Sequence, residues 1–172
     1  MDFLENEKER IKFNYQKLIL YGFLFFYFVN TQSNVTAHKV IWGKAIDAKP
    51  ISLINPIMVL GIITITLYLN HHLFWIKEQG KKVFIIRKYD SIPIDKKEMY
   101  IAKFKIIISN LITFIIASII IYIGILLFNS YLEIDVFKNI LDVLQIGILS
   151  ITLLIIIYTI NIIQDKKSKN QL

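Results

Sequence analysis

The chain has 172 residues, a net charge of +7 and a hydrophobic fraction of 55%. Because soluble domains average about 45 to 50% apolar residues and the excess here is gathered in long uncharged blocks, this composition argues against an ordinary soluble domain. The absence of cysteine excludes disulfides, thiolate metal sites and cysteine catalysis.

The N-terminal part of the sequence predicts an interfacial segment followed by a membrane span. Residues 1–12 mix acidic and basic side chains with Phe3, Leu4 and Ile11, which favours a short helix lying at the membrane surface; a solvated charged tail is the alternative. Residues 13–30 are the first predicted span, with a lysine near its start that can reach toward the headgroups. Since no small-residue cleavage site follows, we expect this block to remain as an anchor.

The second predicted span, residues 51–76, contains no Asp, Glu, Lys or Arg. It includes Asn55-Pro56, where proline either kinks a continuous helix or begins one; the sequence leaves both open. His71 and His72 lie near its end. Adjacent residues point about 100° apart on a helix, so the pair is poorly placed to share one metal, and an interfacial aromatic belt is the simpler interpretation.

The charged loop that follows, residues 77–105, is predicted to be two helical pieces. Pro93 disfavours helical geometry at the residue before it, which places a hinge at 91–93. Asp95 and Glu98 have the spacing of a capping box. A second helix should therefore begin near Lys96 and continue without a break into the third span.

The third and fourth predicted spans are residues 106–128 and 143–163, both uncharged. Polar residues recur on them at helical spacing, which is typical of helix-packing faces in lipid; a polar substrate path is the alternative interpretation. Asn55, near the start of the second span, and Asp142, at the start of the fourth, are added to this set. The candidate residues for either role are Asn55, Asn110, Thr113, Asp142, Gln145 and Thr152.

The distribution of cations predicts the topology. All but four of the 20 Lys and Arg residues lie before the first span, between the second and third, or after the fourth. Because basic loops are retained in the cytoplasm, both termini and the middle loop are predicted to be cytoplasmic.

The fold class is thus an all-α integral membrane protein, a single domain over residues 1–172 with four spans. The net positive charge is then explained by the basic cytoplasmic segments, which also attract anionic lipid headgroups. It predicts no nucleic-acid partner.

Few residues could carry chemistry. Gly80-Lys81 does not complete a nucleotide-binding loop, because Trp75 stands where the motif needs its first glycine. Asp142 is the best ionisable candidate within a span. It could form an acidic vestibule with Glu133 and Asp135, or simply favour a helix N-terminus at headgroup depth. The sequence predicts no metal site and no enzyme.

The run "KEQGKKVFIIRKYDSIPIDKKEMYIAKFKIIISNLI", residues 77–112, resembles the cytoplasmic segment between the second and third spans of ABC transporter permeases of the type 2 exporter family. The matching positions are Ile92, Pro93, Ile94, Asp95, Lys96, Lys97, Glu98, Ala102 and Lys103. The resemblance implies that residues 82–91 dock on a separate ATP-binding subunit, which would hold ATP and Mg, while 93–103 act as hinge and lever. The residues it assigns to this coupling are Lys82, Arg87, Tyr89, Ser91, Pro93, Asp95, Glu98 and Lys103.

The resemblance implies an exporter of a peptide or lipid-like substrate in a bacterial plasma membrane. Family members usually have six spans, and four are predicted here, so further membrane subunits or a homo-oligomer are expected. Two alternatives remain: a non-transport immunity or accessory factor that acts through helix–helix contacts, and a membrane enzyme using His71, His72 and Asp142.

Overall fold

The computed structural model describes residues 14–42, 51–78, 80–88, 95–129 and 135–169, and this part of the chain is mainly helical, as predicted. The elements in chain order are α1 (Asn14–Trp42), α2 (Pro56–Phe74), β1 (Trp75–Glu78), β2 (Lys81–Phe84), α3 (Ile85–Lys88), α4 (Lys96–Phe128) and α5 (Val136–Lys169). The predicted interfacial segment 1–12 lies outside the described residues.

Within the described residues, three helices are long and apolar enough to cross a membrane: α2, α4 and the Val136–Lys166 part of α5. They correspond to the second, third and fourth predicted spans, so the chain has the features of a multi-pass membrane protein. The first predicted span lies in α1, which is not among the three. Its apolar residues 18–29 run directly into the polar stretch 30–34 within one continuous helix, and that mixture lowers the hydropathy of any window long enough to span.

The start of α2 decides between the two interpretations of Asn55-Pro56. Asn55 is the N-cap, with extended backbone angles (φ −128°, ψ 164°), and its side-chain oxygen accepts a hydrogen bond from the Met58 amide at 2.9 Å. Pro56 occupies the first helical turn, where its missing amide hydrogen is no loss. The helix therefore begins at Pro56 and ends at Phe74, and the predicted helical boundaries of 51 and 76 are corrected at both ends.

Helix α2 is the centre of the fold and packs against each of the other long helices. At Gly61 it meets α4 so closely that a Cβ atom there would lie 2.5 Å from Cζ of Phe114, whose side chain is fully buried. Small residues permit this close approach of helices in lipid. Helix α5 packs mainly on α2, and most of its large apolar side chains are exposed, as lipid-facing residues should be.

The loop after α2 differs from the prediction. Its first part is an antiparallel β-hairpin and one turn of helix, not a continuous helix. Glu78 is opposite Lys81, and Gly80 lies in the tight turn with φ of +79°, a conformation that glycine adopts without strain. The aromatic and β-branched pair Val83-Phe84 suits a strand. The predicted hinge at 91–93 lies outside the described residues.

Helix α4 begins where predicted. Asp95 is its N-cap, and the side-chain Oδ1 accepts a hydrogen bond from the Lys97 amide at 2.8 Å. From Lys96 the helix runs without interruption to Phe128. The helix thus continues from the charged loop through the third predicted span.

Candidate functional site

Polar side chains gather at the two ends of α2. We call the first group the Asp142 cluster; it surrounds the non-helical segment 51–55 and comprises Tyr27, Thr31, Tyr122, Asn139 and Asp142. The second is the Lys103 cluster, formed by Asn70, Phe74, Phe84, Tyr100, Lys103 and Asn161. Along α5, Asn161 follows Asp142 by 19 positions, which is about 28 Å of helix. This is close to the roughly 30 Å hydrocarbon thickness of a bilayer.

In the Asp142 cluster one carboxylate oxygen holds the segment before α2. Oδ2 of Asp142 accepts hydrogen bonds from the Ser52 hydroxyl at 2.7 Å and from the Leu53 amide at 2.9 Å. The Asp142 side chain is only 6% exposed. A buried carboxylate is costly unless it is hydrogen-bonded, and here two donors converge on it.

Two tyrosines from other helices satisfy the carbonyls of the same segment. The Tyr27 hydroxyl donates to the Leu53 carbonyl at 2.8 Å, and the Tyr122 hydroxyl donates to the Ile51 carbonyl at 2.7 Å. Asn55 adds a side-chain hydrogen bond to the Thr31 hydroxyl at 3.2 Å. Non-helical backbone near membrane depth needs such internal partners, so α1, α4 and α5 together make the extended segment possible.

The remaining candidate residues for a path or a packing face have local partners. Asn110, Thr113 and Thr152 each donate to the carbonyl four residues earlier in their own helix, at 2.9, 2.9 and 2.8 Å. Thr113, Gln145 and Thr152 are exposed, so they face the outside of the bundle. Their assignment to a substrate path or to packing stays a prediction.

In the Lys103 cluster a buried ammonium caps the opposite end of α2. Lys103 is 0% exposed, and its Nζ donates to the Leu73 carbonyl at 2.7 Å and lies 5.5 Å from the centre of the Phe74 ring. A cation is favoured at a helix C-terminus, where carbonyls have no helical partner. The resemblance assigns Lys103 to the hinge and lever, and in the structure its buried side chain joins α4 to the end of α2.

Aromatic packing attaches the β-hairpin to the same place. The Phe84 ring stacks on Phe74 with centroids 6.0 Å apart and an interplanar angle of 17°, and it meets Trp75 edge-on at 5.4 Å. Ile85 and Ile86 of α3 are also buried. The first part of the charged loop is therefore fixed to the end of α2.

Helix α5 joins this end through polar contacts. The Asn161 amide donates to the Asn70 side chain at 2.7 Å, and the Tyr100 hydroxyl donates to the Asn161 carbonyl at 3.3 Å. Lys96 and Asp165 form an ion pair at 3.5 Å. All three candidate spans thus meet at the charged loop.

The other predicted coupling residues are placed as follows. Lys82, Asp95 and Glu98 are exposed, and their roles in docking or as a lever stay predictions. Arg87 lies in α3, and its side chain is outside the described part of the structure, as are Tyr89, Ser91 and Pro93 altogether.

A cavity of about 200 Å³ opens beside the hairpin. The described residues that line it are His71, His72, Trp75, Ile76, Lys77 and Lys82. The two imidazole rings are 5.7 Å apart and nearly perpendicular, at 85°. Within the described ranges, no group of three or more His, Asp or Glu side chains is arranged to hold a metal ion.

Sequence reasoning did not single out Tyr27, Tyr122, Phe84 or Asn161. A usable signal was present for the two tyrosines, because a phenol within an apolar helix needs a hydrogen-bond partner when buried. Asn161, within the fourth predicted span, carries a similar signal. Phe84 gave none, since a single aromatic residue in a charged loop does not reveal its contact.

Comparison of the chain with known protein families, with curated proteins and with solved structures finds no match.

Proposed function

We propose that this chain is a membrane-spanning subunit of an ATP-driven exporter of the ABC type, which couples to a separate ATPase through its charged loop. The observation that carries the proposal is the packing of Phe84 of the hairpin on Phe74 at the end of α2, to which Lys103 of α4 is also hydrogen-bonded through the Leu73 carbonyl. A force applied to this loop would move α2 and α4 together, which is what a coupling element requires.

The exposed charges around this unit support docking. Lys82 on β2 and Glu98 in the first turn of α4 are both exposed. Exposed charges of both signs provide specificity and fast association more than raw affinity. They suit a soluble partner that must bind in one orientation.

The proposal includes further membrane subunits, because the interface between α2 and α4 is filled at Gly61 and Phe114. A substrate path would instead run along an outward face. Helix α5 offers one: Gln145, Thr152 and Thr159 recur every seven residues and are exposed. A second copy, or another spanning subunit, would cover these polar groups. A peptide or lipid-like substrate fits the mixed polar and apolar character of this face.

The test is purification of the full chain from its native membrane in mild detergent. An ATP-hydrolysing subunit should copurify, and hydrolysis by the complex should depend on the membrane subunit. Phe84→Ala should abolish that dependence, because about 3 to 5 kcal/mol of packing at the loop is lost. The matched control is Phe128→Ala, since Phe128 ends α4 and is 93% exposed. Absence of any ATPase from the complex would overturn the proposal.

The same outward face of α5 favours a second candidate, an accessory or immunity factor that binds another membrane protein. In that case purification should yield a spanning partner and no ATP hydrolysis. Gln145→Leu with Thr152→Val should then release the partner, while the exporter proposal predicts that these changes leave the ATPase bound.

A further inference from the structure

The cavity beside the hairpin has an unusual electrostatic composition. Four of the six described residues that line it are basic in type, His71, His72, Lys77 and Lys82, and none of the six is acidic. The other two are Trp75 and Ile76. A cavity of about 200 Å³ is smaller than the roughly 300 to 1,000 Å³ of pockets for drug-sized ligands, and its size suits one compact charged group.

The hairpin register adds an independent observation. Lys77 and Lys82 are Cα partners, directly opposite each other on β1 and β2, so their side chains leave the same face of the ribbon. Like charges in this position destabilise a strand pair. Within the described residues neither lysine forms an ion pair. An anion between the two ammonium groups would turn this repulsion into two attractions.

The nearby helix end does not oppose an anion as strongly as a bare C-terminus would. Carbonyls at the end of α2 would repel negative charge, but two of them already accept hydrogen bonds. The His71 carbonyl accepts one from the Trp75 amide, and the Leu73 carbonyl accepts one from Lys103.

The same geometry disfavours a metal cation. The imidazole rings of His71 and His72 are nearly perpendicular, so their nitrogens do not converge on one point. Two lysines within the same cavity would repel any cation.

We propose that this cavity binds a phosphate group, carried either by an anionic lipid headgroup or by a soluble phosphate. Its position favours recognition at the membrane surface. It adjoins the last turn of α2, the end of a candidate span, and a half-buried indole at Trp75 is the residue type favoured at headgroup level. Lys77 and Lys82 supply the charge, and the histidines and Trp75 supply the walls. The inference is independent of the proposed exporter function.

Trp75 provides the measurement. The chain has two tryptophans. The variant Trp42→Phe therefore leaves Trp75, which lies in the cavity wall, as the sole tryptophan. The full chain carrying this change is placed in nanodiscs of phosphatidylcholine alone, in nanodiscs containing phosphatidylglycerol, and in phosphatidylcholine nanodiscs titrated with inorganic phosphate. A saturable Trp75 emission change with phosphatidylglycerol identifies the lipid as source, and one with inorganic phosphate identifies a soluble ligand.

A pair of double variants separates the cavity from general surface charge. Lys77→Gln with Lys82→Gln should weaken the response about tenfold or more, because two charge-assisted contacts are lost. Lys97→Gln with Lys105→Gln removes the same amount of charge from exposed positions in the first third of α4. This control pair should weaken the response less than about threefold. Removing the opposed lysines relieves repulsion, so the hairpin should stay folded, which the emission in pure phosphatidylcholine checks.

Two results would overturn the inference. One is an equal loss in both double variants, which would mean that the membrane is attracted only by net charge at about 1 kcal/mol per lysine. The other is the absence of any Trp75 response to either probe.

Discussion

The two ends of α2 are held by charges of opposite sign. At the Asp142 cluster a buried carboxylate accepts two hydrogen bonds from the chain just before the helix, whereas at the Lys103 cluster a buried ammonium donates one to a carbonyl in its last turn. Each charge complements the helix dipole at its own end. The pair therefore anchors one candidate span at both of its ends.

The surroundings of the two charges differ because the backbone beside them differs. Segment 51–55 has no helical or strand partners of its own, so side chains from three helices must satisfy it. After α2 the chain enters a hairpin whose backbone pairs with itself. Lys103 then caps α2 with one hydrogen bond, aromatic packing holds the hairpin, and Asn161 adds hydrogen bonds with Asn70 and Tyr100. We conclude that the Asp142 cluster depends on long-range hydrogen bonds and the Lys103 cluster mainly on packing.

The largest expected effect tests the first half of this comparison. Asp142→Ala leaves the Ser52 hydroxyl and the Leu53 amide buried without an acceptor, and should lower the free energy of unfolding by about 3 to 5 kcal/mol. Both donors reach the same oxygen, Oδ2. Asp142→Asn can keep that acceptor and should cost about 1 kcal/mol. Thermal unfolding in detergent measures both; equal losses would show that charge, rather than acceptor geometry, holds the segment.

A smaller effect is expected between the clusters, where packing alone joins α2 to α4. Gly61→Ala places a Cβ atom 2.5 Å from the Phe114 ring and should cost about 1 to 3 kcal/mol through overpacking. Gly147→Ala is the matched control, because nothing lies within 4 Å of its Cβ position. It should gain up to about 1 kcal/mol from helix propensity. Identical unfolding temperatures for the two variants would contradict the close approach of the helices.

The smallest effect tests the second half of the comparison. Lys103→Met removes the hydrogen bond to the Leu73 carbonyl but keeps a flexible apolar chain against Phe74. The expected loss is about 1 to 2 kcal/mol, below that of Asp142→Ala and measured in the same way. Lys103→Ala should lose more, because it also leaves a cavity. If Lys103→Met were less stable than Asp142→Ala, the charge of Lys103 would contribute more to the stability of this end of α2 than packing does.

Much of the described fold could be predicted because its signals are local. Uncharged blocks long enough to cross a bilayer predicted α2, α4 and the spanning part of α5. The spacing of Asp95 and Glu98 predicted where α4 begins. The hairpin was missed because a short apolar run such as residues 83–86 fits a strand or a helix equally well.

The sequence by itself determined the class of protein and three of the four predicted spans, because exclusion of charge from lipid acts on every residue of a segment independently of its neighbours in space. Only the tertiary structure decided which polar side chains meet. Ser52 and Asp142 are 90 residues apart in the chain, and their contact depends on how each helix is rotated against α2. Lys103 shows the same limit: lysine is almost never buried unless paired, and its partner is a backbone carbonyl that every sequence contains.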